Sequence, residues 1–164
     1  MSNDMYFLLK KQIGHEMENS HAYKNIYSRL KFEGLNNLAN YFLDQANHEM
    51  EHVELLIDYL ADRNEVVSIP MINEINFDNK SIKEIMDFYL NKEKEITQSI
   101  EKILDFAETE EKKDRLTIKF LYEFAFEQVE EEASAQNLYD QVIPMIEDKK
   151  FLIILDAELE GDYY

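Results

Sequence analysis

The sequence predicts an all-α protein, specifically a four-helix bundle with one long crossover and a short fifth helix. Glycine and proline together number only five in 164 residues, whereas about 20 would be usual for this length. Five such residues are too few to form the turns that a many-stranded sheet needs. Apolar residues recur at intervals of three and four, which is the period of an α-helix. One segment, residues 64–80, lacks this period and contains Pro70. We expect one domain over residues 1–164.

The first two helices are predicted at about residues 4–32 and 35–62. An apolar stripe begins at Leu9 in the first helix and continues to Leu30. Gly34 follows, and glycine readily adopts the left-handed conformation that closes a helix. The second helix carries a similar stripe, so the two helices form a pair joined by a tight turn.

The other three helices are predicted at about residues 81–108, 110–143 and 148–159. Ser81 and Glu84 have the spacing of a capping box, which marks the start of the third helix. Thr109 is a plausible N-cap for the fourth helix. Pro144 ends or kinks that helix, because proline lacks the backbone donor that a helix interior needs.

The long helices contain roughly 26 to 30 residues, or about 40–45 Å at 1.5 Å per residue. The 17 residues from 64 to 80 span up to about 56 Å when extended. This segment can therefore run back along the whole bundle. A four-helix bundle with one such crossover has the ferritin-like connection.

The formal net charge is −18, from 17 basic and 35 acidic residues. Such a field repels a phosphate backbone, so no nucleic-acid partner is expected. The chain has no cysteine, which excludes disulfides and thiolate metal sites. Its longest apolar stretch, residues 151–155, is far short of the ~20 residues of a membrane span. We expect a cytoplasmic protein with no membrane partner.

Each long helix interrupts its apolar stripe with a carboxylate at a similar depth in the bundle. These residues are Glu16, Glu49, Glu93 and Glu131, and His52 shares a helical face with Glu49 in a Glu-x-x-His pattern. A buried carboxylate costs several kcal/mol unless it is paired or coordinated. No lysine or arginine lies on the stripes near that level. The pattern therefore predicts a site for a multivalent cation.

In these features the chain resembles the bacterial non-haem ferritins from about Leu8 to Leu159. The matching stretches are Gln12-Ile13 with Glu16 and Tyr23, Glu33-Gly34-Leu35 with Ala39 and Phe42, Glu49-Met50-Glu51-His52 with Asp58-Tyr59-Leu60, Glu127-Gln128-Val129-Glu130-Glu131-Glu132, and Leu155-Asp156 with Glu158-Leu159.

The resemblance implies a non-haem di-iron ferroxidase centre inside each subunit. Glu16, Glu49 and His52 would hold one iron. Glu49 would bridge to a second iron that Glu93 and Glu131 also hold. Two further residues, Gln128 and Tyr23, would stand beside the pair, Tyr23 as a hydrogen-bond or redox partner. An ordinary core tyrosine is the alternative for Tyr23.

The resemblance also implies an activity and an assembly. Fe(II) would be oxidised by O2 or H2O2, and ferric oxyhydroxide would be deposited inside a 24-subunit cage. The fourth helix lacks the second Glu-x-x-His of the bacterioferritins, since Glu127 is followed three residues later by Glu130. Met50 falls close to the haem-binding methionine of the bacterioferritins, but bacterial ferritins share this methionine without haem, so haem is not expected.

A possible third iron site departs from the family pattern. Glu127, Glu130 and Glu131 match its ligands, but His48 replaces the usual fourth glutamate. A neutral nitrogen favours Fe(III) less than a charged oxygen does, so low occupancy of this site is expected. Glu123 replaces a tryptophan that is common in the family, and the sequence leaves open whether its carboxylate faces the metal pair or water.

Two other functions remain open at this point. One is a ferritin-like di-iron oxidase or peroxidase that consumes an oxidant without storing iron. The other is a non-catalytic acidic bundle whose inner carboxylates are protonated or solvated. The predicted fifth helix favours storage, since a plain four-helix oxidase has no need of one.

Overall fold

A computed structural model describes residues 1–109, 111 and 113–159. These residues form five α-helices and one 3-10 helix: α1 (Asn3–Glu33), α2 (Asn36–Asp62), α3 (Ile82–Thr109), α4 (Arg115–Val142), the 3-10 turn Ile143–Met145, and α5 (Lys149–Glu158). The described part contains no strand, and the predicted all-α bundle with a short fifth helix is confirmed. No helix among the described residues is long and apolar enough to cross a membrane.

Two predicted helix boundaries are found where the sequence placed them. Gly34 has the left-handed φ of +81°, and its N–H donates to carbonyls in the last turn of α1. At the start of α3, the Ser81 N–H donates to Glu84 Oε2 over 2.9 Å, and the Glu84 N–H donates to Ser81 Oγ over 3.2 Å. This reciprocal pair is a capping box.

The predicted start of the fourth helix is wrong. Thr109 belongs to the last turn of α3, where its hydroxyl donates to the Asp105 carbonyl over 2.9 Å. The N-cap of α4 is Asp114, whose carboxylate also accepts two hydrogen bonds from Arg63 at the end of α2. This ion pair holds the pKa of Asp114 well below its usual range. A partner 51 residues away along the chain therefore selects the cap, and five residues separate α3 from α4.

The crossover between α2 and α3 follows α1 from one end of the bundle to the other. Four residue pairs mark its path: Tyr6 with Val66, Lys10 with Ser68, Gly14 with Pro70, and Arg29 with Lys80. At Gly14, an added Cβ would lie 3.3 Å from Pro70 Cγ. Glycine therefore lets the segment lie close against the helix.

The fifth helix is fixed to the start of α2 by one buried carboxylate. Leu35, the N-cap residue of α2, has no side chain that can cap. Asp156 of α5 supplies the acceptor instead: its Oδ1 receives the N–H of Asn37 over 3.1 Å and that of Leu38 over 2.8 Å. Free N–H groups at a helix start need such an acceptor, so Asp156 couples the two helices.

The interior consists of two apolar clusters separated by a polar layer. One cluster contains Tyr23, Phe42 and Tyr89, and the other contains Ile13, Leu56 and Phe124. The buried polar side chains between them come from all four long helices: Gln12, Glu16, Asn19, Ser20, Glu49, His52, Glu93, Gln128 and Glu131. A layer of this composition, at mid-bundle, is where the sequence placed a cation.

Candidate metal centre

The predicted ligands lie on four helices and are all buried. Glu16 is 0% exposed, Glu93 is 1% exposed and Glu131 is 8% exposed, while Glu49 and His52 lie between them in exposure. Helical spacing explains the arrangement, because residues three or four apart share a face and each of these positions continues an apolar stripe. The fold therefore removes several carboxylates from water at one level.

These side chains hold atoms that lack a hydrogen-bond partner. In the part of the chain that the structure describes, six buried side-chain nitrogen or oxygen atoms are unpaired. Five belong to this layer: Oε2 of Glu16, Glu49 and Glu131, and both ring nitrogens of His52. Buried polar groups are nearly always paired, so this concentration points to cation binding in this layer.

Two groups of ligand atoms are close enough to hold a metal ion. Glu16, Glu49 and His52 each offer one ligand atom, and these atoms lie within 4.8 Å of one another. The second group consists of His48, His52 and Glu131, and meets the same limit. His52 belongs to both groups, and its Nδ1 lies 3.7 Å from Glu49 Oε2.

Buried amides hold one oxygen of each carboxylate in the first group. Gln12 Nε2 donates to Glu16 Oε1 over 2.7 Å, and Asn19 Nδ2 donates to Glu49 Oε1 over 3.3 Å. The Oε2 atoms stay free for a metal. Neither Gln12 nor Asn19 is among the residues predicted from the sequence to form the site. Their spacing does indicate that both face the interior, since Gln12 lies four residues before Glu16 and Asn19 lies three residues after it on the same stripe.

Glu93 is held differently, because both of its oxygens accept hydrogen bonds. Tyr23 OH donates to Oε1 over 2.5 Å, and Gln128 Nε2 donates to Oε2 over 2.9 Å. Tyr23 and Gln128 therefore lie against the polar layer through Glu93. Each of these oxygens keeps a second lone pair through which Glu93 could bind a metal.

The electrostatics of the layer favour protons where no cation is bound. Burial raises the pKa of Glu16 well above its usual value, and the neighbouring Glu49 raises it further. Burial likewise raises the pKa of Glu49, with repulsion from Glu93 adding to it. Burial also raises the pKa of Glu93 to about 7, although the hydrogen bond from Tyr23 opposes this. A divalent cation would replace these protons and remove the repulsion.

The residues of the possible third site are only partly assembled. His48 Nδ1 lies 2.8 Å from Glu131 Oε1, and His48 Nε2 lies 3.3 Å from Glu127 Oε1. The hydrogen bond to Glu131 is the main reason why the pKa of His48 rises to about 9. Glu130 is exposed on α4. The Glu123 side chain is 69% exposed and pairs with Lys119 at 3.5 Å, so it faces water.

Comparisons with known proteins agree with this geometry. The family model of the ferritin-like domain matches residues 7–143. The chain is 29% identical over 159 residues to a bacterial non-heme ferritin of Staphylococcus epidermidis, covering 97% of this chain and 95% of that protein. A crystal structure of an open pore ferritin from the archaeon Archaeoglobus fulgidus superposes with a TM-score of 0.91 at 28% identity, covering 98% of both chains. A humanized archaeal ferritin gives a TM-score of 0.92 at 27% identity, covering 100% of this chain and 98% of that one.

Proposed function

Because the chain belongs to the ferritin family, we propose that it stores iron, and that its buried polar layer oxidises Fe(II) before the iron is deposited. The observation that carries this proposal is the set of five unpaired buried atoms on Glu16, Glu49, His52 and Glu131. Their convergence within a protein interior is costly unless a cation binds there.

Fe(II) is the substrate of the proposed reaction. One ion would bind Glu16, Glu49 and His52, and a second would bind Glu49, Glu93 and Glu131. Carboxylates are hard ligands and stabilise Fe(III) more than Fe(II), so they lower the free energy needed to pass electrons to O2 or H2O2. The neutral imidazole of His52 suits the Fe(II) that must bind first.

The surrounding residues would position the ligands and exchange protons. Gln12 and Asn19 each hold one carboxylate oxygen and direct the other towards the metal. Tyr23 fixes Glu93 from one side, and Gln128 from the other. If Glu93 turns towards the second iron, we expect it to lose the hydrogen bond from Gln128 before the one from Tyr23, because the former is the longer one. Protons held by Glu16 and Glu49 would leave as Fe(II) enters.

Storage further requires an assembly with an interior, which we propose is a 24-subunit cage that retains ferric oxyhydroxide. The net charge of −18 supports this, since carboxylates that line a cavity attract Fe(II). Apolar side chains on the outer face of α5 support it as well: Phe151, Ile153 and Ile154 are each about half exposed. Contact with neighbouring copies would cover them.

Size-exclusion chromatography with iron analysis tests this proposal. We expect a particle of roughly half a megadalton, as 24 chains of 19.6 kDa require. After aerobic addition of Fe(II), iron should elute with the protein far in excess of three ions per chain. A particle of two chains that retains only the ions bound to its ligands would instead indicate an oxidase or peroxidase without storage. The same iron addition without protein is the control for precipitation.

A further inference from the structure

The amide that holds Glu16 is itself held by residues outside the polar layer. Ser99 of α3 lies against α1, and its hydroxyl donates to Gln12 Oε1 over 2.7 Å. The same Ser99 Oγ lies 3.3 Å from His15 Nδ1. Gln12 Nε2 in turn donates to Glu16 Oε1 over 2.7 Å. Three hydrogen bonds therefore join the half-buried His15 to the fully buried Glu16.

The donors in this chain of hydrogen bonds all point towards Glu16. A serine hydroxyl has one proton, and Ser99 gives it to Gln12. Ser99 Oγ can therefore only accept from His15, so His15 Nδ1 carries a proton in the neutral as well as in the charged imidazole. Because the Gln12 oxygen receives the Ser99 proton, the Gln12 NH2 group faces Glu16. Hydrogen bonds of this direction stabilise a charged carboxylate.

The Ser99 hydroxyl decides which end of the Gln12 amide faces the ligand. If the amide turned over, its oxygen would face Glu16 Oε1, and two acceptors would lie against each other. Gln12 is only 1% exposed, so bulk water cannot supply a donor that fixes the amide. The donor comes from Ser99, whose position on α3 depends on the packing of α3 against α1.

We propose that Ser99, supported by His15, is a positioning residue for the first metal ion. It fixes the Gln12 amide so that Glu16 is held as a charged ligand with its Oε2 free for the metal. Residues that orient a metal ligand through hydrogen bonds commonly contribute about 10–100-fold to metal affinity or activity. The inference rests on the proposed function in taking Fe(II) as the ion, whereas the positioning of Glu16 applies to any divalent cation bound there.

Anaerobic titration of the metal-free assembly with Fe(II), followed by isothermal titration calorimetry, tests this role. Ser99→Val is expected to weaken one class of Fe(II) sites by about 10-fold or more. Ser99→Thr is the matched control, because threonine has the shape of valine and keeps the hydroxyl, so it should bind Fe(II) as the wild type does. His15→Ala should cause a smaller loss, since it removes only the longer contact of 3.3 Å.

A double-mutant cycle separates positioning from packing. In a Gln12→Met protein there is no amide to orient, so Ser99→Val should then change the Fe(II) affinity by less than about 2-fold, the scatter expected of independent sites. Gln12→Leu takes the place of Gln12→Met if the latter does not fold. An equal loss in both backgrounds would show that Ser99 acts through packing alone, and it would overturn the proposal.

Equal Fe(II) affinity in Ser99→Val and Ser99→Thr would overturn the proposal as well. If the wild type then still oxidised Fe(II) rapidly, the proposed function would stand without this positioning role. Fe(II) binding that depends on the Ser99 hydroxyl, in a protein that oxidises no Fe(II), would uphold the role and refute the proposed function. A wild type that binds no Fe(II) would refute both.

Discussion

Glu49→Gln is expected to slow the fast phase of Fe(II) oxidation by about 100-fold or more, because replacing a residue that only supports a metal ligand already costs about 10–100-fold. Glu49 is the carboxylate that both iron positions would share. Its unpaired Oε2 lies 3.7 Å from His52, and its charge interacts with Glu93 and Glu131. Glutamine keeps the size of the side chain and loses the charge. Stopped-flow absorbance after mixing with Fe(II) and O2 measures the rate.

Glu123→Gln is the matched control for this variant. It removes the same charge from an exposed position on α4, where the side chain is 69% exposed, and its oxidation rate should equal that of the wild type. A Glu49→Gln protein that oxidises Fe(II) as fast as the Glu123→Gln protein would contradict a centre built on Glu49.

Zn(II) or Fe(II) is expected to raise the melting temperature of the metal-free protein by roughly 5 to 10 °C. A ligand at 100 times its Kd stabilises the folded state by about 2.7 kcal/mol. Each kcal/mol shifts the melting temperature of a chain of this size by about 2–4 °C. Anaerobic calorimetry or thermal circular dichroism measures the shift. Mg(II) should raise it less, because this ion gives up water reluctantly and prefers oxygen ligands.

The stability of the metal-free protein is expected to fall as the pH rises. The raised pKa values of Glu16, Glu49 and Glu93 mean that the folded, metal-free chain holds protons which the unfolded chain has released. The stability contributed by these protons is lost as pH rises through the folded pKa, which is about 7 for Glu93. His48 acts in the same direction, up to its pKa of about 9.

The metal-free protein should therefore melt at a lower temperature at pH 8 than at pH 6. The increase caused by metal should be larger at pH 8, where fewer protons compete for the ligands. An unchanged melting temperature at saturating metal would contradict a cation site in the polar layer. Glu49→Gln should show a smaller response to metal than Glu123→Gln does.

Helical periodicity made most of the fold and the inward carboxylates predictable. Glu16 could be assigned to the interior because it follows Ile13 by three residues on the stripe that runs from Leu9 to Leu30, and Gly34 and Ser81 carried local capping signals. The start of α4 could not be predicted in this way. Asp114 rather than Thr109 caps α4, because Arg63 of α2 binds the Asp114 carboxylate. The sequence near the start of α4 does not indicate that distant partner.

In the metal centre, too, some features follow from the local sequence, whereas others depend on how the helices pack. The spacing of Glu49 and His52 placed both on one face, but the two hydrogen bonds that occupy Glu93 depend on α1 and α4 packing against α3. His48 and His52 are four residues apart, which places them on one side of α2. Their convergence on Glu127 and Glu131 appears only when α4 is placed beside them. The two histidines were therefore predicted to belong to separate sites.

Anomalous diffraction from crystals soaked anaerobically in Fe(II) tests the central claim most directly. The account predicts two iron peaks within each chain, one bound by Glu16, Glu49 and His52, and the other bound by Glu49, Glu93 and Glu131. Both peaks should lie inside the polar layer between the two apolar clusters. Iron found only on the protein surface, with no anomalous peak among these residues, would contradict the account.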